Sequence, residues 1–184
     1  MRALPLVFLA ACTSTIGGPA MTGSGDDDGM APDAAPMAQP GEGAVARGAM
    51  WVAAMVPYCQ APNHAHDNDA DCASTCTRPD VADWDPYRSD CSGFVSWAWD
   101  LPSPGRTTHD FAPFETDITH EIDASELRPG DAINNDTHMM LFESWVTVGQ
   151  EAKLMEEPGC SASQPYAREI DAKVTVMDGS GITL

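Results

Sequence analysis

The sequence predicts a single α+β domain, and three features predict it. Cys91 to Trp99 is an apolar, helix-like segment halted by the proline-rich stretch Asp100-Leu101-Pro102-Ser103-Pro104-Gly105. His138 to Glu143 reads as a buried strand. Ala152 to Glu157 reads as a second strand, reached through a hairpin from Trp145 to Gln150. The chain has 184 residues, 43% of them hydrophobic, which provides for one packed core. Its 28 acidic against 9 basic side chains give a net charge of −19, which argues against nucleic acid and anionic lipid as electrostatic partners.

Taken in order, the first element is an export leader. Leu4 to Ala11 is too short to cross a hydrocarbon core of about 30 Å and fits the apolar region of a signal peptide. It ends in Leu9-Ala10-Ala11-Cys12, which resembles the lipobox of bacterial lipoproteins, so residues 1–12 are expected as the leader and Cys12 as the lipidated residue. A plain secretory signal cut near Ala20 is the other reading, and both export the chain. Residues 13–43, rich in Gly, Pro, Ala and Asp and including Asp26-Asp27-Asp28, have no apolar period and are expected as a disordered tether. The folded domain is expected over residues 44–184, starting near Val45.

Of six cysteines, five remain once Cys12 is assigned to lipid. In an exported chain an odd number points to two disulfides and one free thiol. Cys91, at the mouth of the helix-like segment, is the free one. Cys59, Cys72, Cys76 and Cys160 lie in polar, turn-rich surroundings and leave three pairings open. His64, His66, Asp67, Asp69 and Asp71 precede Cys72 and Cys76, which raises a metal site. The Asp67-Asn68-Asp69-Ala70-Asp71 spacing mimics half a calcium loop, but Cys72 stands where the turn glycine belongs and Arg78 where the bidentate glutamate belongs. A disulfide-stapled loop is expected here, with no metal and no cofactor.

Cys91 heads the helix, where the macrodipole favours a thiolate and so a nucleophile. Gly93 allows close approach beside the sulfur, and Asp90 and Ser92 add a carboxylate and a hydroxyl. His138, at the start of its strand, is placed to face such a helix end as general base. His64 and His66 lie in the polar loop, and His109 and His120 in a stretch without strand pattern. The next strand offers Glu156 and Glu157 to orient the imidazole. Alternation puts Glu156 on the face of Leu154 and Glu157 opposite, so Glu156 is chosen and Glu157 held in reserve; a solvated surface pair is the other reading.

Asp90-Cys91-Ser92-Gly93-Phe94-Val95, then Arg128-Pro129-Gly130-Asp131, then His138 heading an apolar strand, resemble the NlpC-type family of papain-like cell-wall cysteine peptidases. Val56-Pro57-Tyr58 looks like that family's Pro-Tyr element. The resemblance spans roughly residues 45–176 and implies a helical N-terminal half packed on a small antiparallel β-sheet. It implies Cys91 as nucleophile, His138 as base and Glu156 as third member, with Tyr58, Asp90 and Ser92 facing the free amine of a peptidoglycan stem peptide. A glutamate as third member is more like the related CHAP group. The Cys59 to Cys76 insertion replaces the short glycine-rich connection usual in the family, whose members usually continue into a further strand after the place where residues 179–184 stop, so either a truncated chain or the lack of that final strand is expected.

The expected activity is hydrolysis of a stem-peptide amide through a Cys91 acyl-enzyme, in a monomer held to a membrane by its lipid. The alternatives are a CHAP-type amidase or amide transferase, and a non-catalytic wall-binding lipoprotein on the same scaffold.

Overall fold

The computed structural model describes residues 7–11, 40–64, 78–177 and 181–183. The helices are α1 (Pro40–Ala54) and α2 (Cys91–Ala98). The strands are β1 (Val7–Ala11), β2 (Thr119–Ile122), β3 (Ala132–Asn134), β4 (Met139–Thr147), β5 (Glu151–Glu156), β6 (Arg168–Lys173), β7 (Thr175–Met177) and β8 (Gly181–Thr183). Six of them form an antiparallel sheet in the order β2-β1-β3-β4-β5-β6, and β7 pairs with β8. The class is α+β, as the sequence predicts.

Helix α1 buries Ala44, Gly48 and Trp51, the i, i+4, i+7 spacing of one helical face. A Cβ on Gly48 would come within 2.9 Å of Leu141 Cδ2, so the glycine sets how closely α1 lies on the sheet. The helix starts at Pro40, ahead of the boundary expected from sequence, so residues 40–43 are not tether. Proline is suited to a first helical position, where its missing N–H has no intrahelical partner. Gly41 then meets the Pro129 carbonyl so closely that a Cβ would sit 1.7 Å from the oxygen. A linker-like composition is here the means of docking a helix end.

All eight residues of α2 are buried. Trp51 of α1 stacks on Trp97 with centroids 6.0 Å apart and planes 10° apart, and packs against Phe94 and Trp84. Each such aromatic pair is worth about 1 kcal/mol beyond its burial. The helix is thereby clamped between α1 and the sheet. At its C-terminus the Arg47 Nε donates to Ala98 O at 2.7 Å, and Trp99 Nε1 to Gly130 O at 2.6 Å. The second bond ties α2 to the predicted Arg128–Asp131 turn, where Gly130 takes φ +91°.

The β4–β5 hairpin is tighter than the sequence suggests, because β4 runs on through Val146 and Thr147 before Gly149 turns it at φ +71°. β-branched residues favour the extended chain, and glycine accepts the left-handed conformation. His120, expected outside any strand, lies in β2 opposite Ala10. Within the segment read as a leader, residues 7–11 form β1 between β2 and β3, with Phe8 opposite both Ile122 and Ile133. Cleavage before Cys12 would take this strand out of the sheet.

Removal of residues 1–11 should therefore leave the facing backbone edges of β2 and β3 unpaired. Hydrogen exchange should accelerate at residues 119–122 and 132–134 relative to the full chain. Unchanged protection would mean that β2 and β3 close on each other.

Candidate active site

Asp90 is the N-cap of α2. Its Oδ1 accepts the Gly93 N–H at 2.7 Å and the Ser92 hydroxyl at 3.3 Å, satisfying an otherwise unpaired first-turn donor. Arg88 Nε lies 3.5 Å from Asp90 Oδ2, while its Nη2 donates to Arg106 O at 2.8 Å. Gly93 is needed where it stands, because a Cβ there would come 2.2 Å from Arg88 O. Cys91 is a free thiol, buried to 7% exposure. Asp90 and Ser92 are buried as well and bonded to each other. The resemblance has them facing substrate, whereas this geometry engages both in building the helix start.

On the sheet side, His138 sits one residue ahead of β4. Asn135 holds it there, its Oδ1 accepting the backbone N–H of Thr137 at 2.8 Å and of His138 at 2.7 Å. His138 Nε2 and Glu156 Oε2 are 2.7 Å apart. The Cys91 side chain acts on the same ring, through hydrogen bonding and charge. Arg168 completes the row: its Nε and Nη2 donate to Glu156 Oε1 at 2.9 and 2.6 Å. Glu156 and Arg168 are direct cross-strand partners in the β5–β6 ladder. The row therefore runs Cys91, His138, Glu156, Arg168.

Burial works against a charged imidazole, yet the Cys91 and Glu156 side chains outweigh it and raise His138 from 6.5 to about 9. Glu156 is pulled the other way. Burial disfavours its charge, but His138 and Arg168 together hold it below the usual carboxylate range. Neither acid is the solvated surface group that was one reading of the sequence. Glu157, just past the end of β5, is completely buried, and neither of its carboxyl oxygens has a hydrogen-bond partner. Burial, reinforced by Asp90, Cys91 and Glu156 and opposed by Arg78, pushes it well above the carboxylate range.

Tyr58 is buried at the site's upstream edge, on a connector that joins both halves. The Tyr58 N–H donates to Pro165 O at 2.9 Å and the Cys59 N–H to Ser89 O at 3.0 Å, so this segment bridges the approach to β6 and the approach to Cys91. Arg78 anchors it from behind, donating to Ser89 Oγ at 3.0 Å, Trp84 O at 2.8 Å and Tyr87 O at 2.9 Å. Ser89 Oγ in turn donates to Pro57 O at 2.7 Å. The residue out of place in a calcium loop is thus a buried guanidinium bracing the site.

Cys59 and Cys160 each take part in a disulfide. Cys12, Cys72, Cys76, His66, Asp67, Asp69 and Asp71 lie outside the described residues. His64 pairs with Asp80 at 2.7 Å on the surface, and His109 stacks on Phe114 with centroids 4.4 Å apart. No group of three or more potential metal ligands occurs among the described residues. Arg168, Arg78 and Arg88 were not found from the sequence; a basic residue on the strand after Glu156 was the only signal for the first. No protein-family model, curated protein or solved structure matches the chain.

His138 should titrate near pH 9 in imidazole NMR spectra. Being raised above its unfolded value, it contributes stability that is full below about pH 6.5 and lost as pH rises through about 9. Cys91→Ala and Glu156→Gln should each move the midpoint down toward 6.5. A midpoint unmoved by either would show that these side chains do not hold the proton.

Proposed function

We propose that the chain is a papain-like cysteine hydrolase of the NlpC type that cleaves an amide bond in peptidoglycan stem peptides. The observation behind this reading is that a single imidazole, His138, is acted on by the free thiol at a helix start and bonded through Nε2 to a buried carboxylate. That is the geometry of an activated nucleophile with its base and orienting group. The cell-wall substrate is supported by the sequence resemblance and by the leader-like apolar run expected to export the chain. No helix among the described residues is long and apolar enough to cross a membrane. Attachment is proposed through lipid on Cys12.

In this reading the Cys91 sulfur attacks the amide carbon, and the oxygen charge that develops is met by the Cys91 backbone N–H with help from Tyr58. Donors of this kind contribute about 3 kcal/mol to a transition state. The tetrahedral intermediate collapses as His138 delivers its proton to the departing amine. Water then enters, His138 takes a proton from it, and the acyl-enzyme is hydrolysed. Glu156 keeps the imidazole in the tautomer and orientation that both transfers need. With the Asp90 carboxylate paired to Arg88 and Gly93, we assign it first to the helix start, and the substrate's amine to the neighbourhood of Tyr58.

The full chain incubated with purified peptidoglycan should release fragments whose new termini identify the bond, and Cys91→Ala should release none. Glu156→Ala should lower kcat roughly 100-fold, whereas Glu157→Gln, which keeps shape and hydrogen-bonding capacity, should leave it largely intact. Equal release by wild type and Cys91→Ala would refute the mechanism. Activity that survives Glu156→Ala but not Glu157→Gln would exchange the roles of the two acids.

A further inference from the structure

Glu156 could orient His138 only if its own carboxylate were held, and among the described residues the group that holds it is Arg168. The guanidinium grips one oxygen, Oε1, through two N–H groups at 2.9 and 2.6 Å and leaves Oε2 to the imidazole at 2.7 Å. The ladder fixes this pairing, since Arg168 stands directly across from Glu156 on the edge strand β6. The Arg168 side chain keeps 41% exposure while that of Glu156 keeps 7%, so the arginine closes the solvent side of an otherwise buried carboxylate. Its neighbour Glu169 is engaged separately, by Lys153 at 2.6 Å.

We infer that Arg168 is a positioning residue that makes the row a four-membered relay, fixing the rotation of Glu156 and moderating its charge toward the Cys91–His138 pair. Two separable effects follow from one guanidinium. As a fork, it restrains the carboxylate, and through it the imidazole ring bonded to Oε2. As a cation, it offsets part of the Glu156 charge, so that His138 is not held so strongly protonated that it fails as an acid. The other charged groups around the pair are Asp90 with Arg88 at the helix start and Glu157 with Arg78 behind it. Of the three arginines, Arg168 is the one whose partner directly touches His138.

The inference depends on the hydrolase reading only for its kinetic part, so its main test needs no substrate. The His138 imidazole is titrated by NMR in the full chain, where the wild-type midpoint is expected near pH 9. Arg168→Met removes a cation beside Glu156 and should move that midpoint to higher pH, by about half a unit given the partial exposure. Arg168→Lys restores charge without the fork and should return the midpoint close to wild type. On peptidoglycan, Arg168→Met should lower kcat about tenfold with KM little changed, and Arg168→Lys should fall between.

A His138 midpoint that stays in place in Arg168→Met would overturn the role of Arg168 and leave the hydrolase reading standing. A lowered melting temperature with an unmoved midpoint would do the same, because a merely structural residue predicts that result. A moved midpoint in a chain that releases no peptidoglycan fragments would overturn the hydrolase reading and leave the role of Arg168 standing.

Discussion

Charged side chains can coexist in a nearly closed site only if each charge is answered within hydrogen-bond reach, and much of this molecule serves that requirement. In a chain of net charge −19, three of the nine basic residues surround the Cys91–His138 pair, each beside a different acid. Arg168 binds Glu156, Arg88 lies against Asp90, and Arg78 faces the field of Glu157. Buried ion pairs add little net stability, since desolvation consumes most of their attraction. Their value here is local: they decide which carboxylate keeps a charge and which does not. Glu156, with two partners, is held ionised; Glu157, with no hydrogen bond, is driven toward its neutral form.

The fold brings these groups together from two directions. Helix α2 presents Cys91 from within the aromatic cluster built on Trp51, and β4, β5 and β6 present His138, Glu156 and Arg168 from successive neighbouring strands. The two halves must be registered to within a hydrogen bond. That registration comes from the connector at Pro57 to Cys59, bridged to Tyr166 on one side and Ser89 on the other. Arg78 and Ser89 lock the connector to the helix approach, and Trp99 locks the far end of α2 to the turn below β3. These are polar bonds in a dry interior, where a lost partner costs more than in water, so they favour one docking of helix on sheet.

What the sequence made legible is local. The helix start at Cys91 follows from its apolar run and the prolines behind it, the strand at His138 from its composition, and Glu156 from the two-residue alternation of a strand. The parity of the cysteines pointed to one free thiol, the place of Cys91 at the helix mouth picked it out, and it is free. What was not legible is non-local. Arg168 matters because the β5–β6 register sets it opposite Glu156 after an intervening loop, and register is a property of pairing rather than of either strand alone. The Pro40 helix start was hidden by tether-like composition, because Gly41 is useful only for its contact with a turn almost ninety positions on. His120 escaped for the same reason: β2 is held in the sheet by β1, a segment whose apolar run reads first as a leader. Glu157 breaks the alternation rule because β5 has ended by then.

The elevation of His138 to about 9 looks at first too large for a group that must both give and take protons near neutrality. The sources of that elevation resolve the difficulty. Burial opposes it, and the Cys91 and Glu156 side chains both support it. In the proposed reaction the sulfur loses its charge as the bond to the carbonyl carbon forms. One of the two supports for the imidazolium is then withdrawn, and His138 becomes a stronger acid at the moment a leaving amine needs its proton. What remains on the ring is the pull of Glu156, already shared with Arg168, which is sufficient to orient the imidazole without retaining the proton. When the acyl group departs the thiolate returns, and the proton taken from water is held again. The acidity of His138 is thus coupled to the progress of the reaction, and the fixed Glu156–Arg168 pair sets the level from which that change begins.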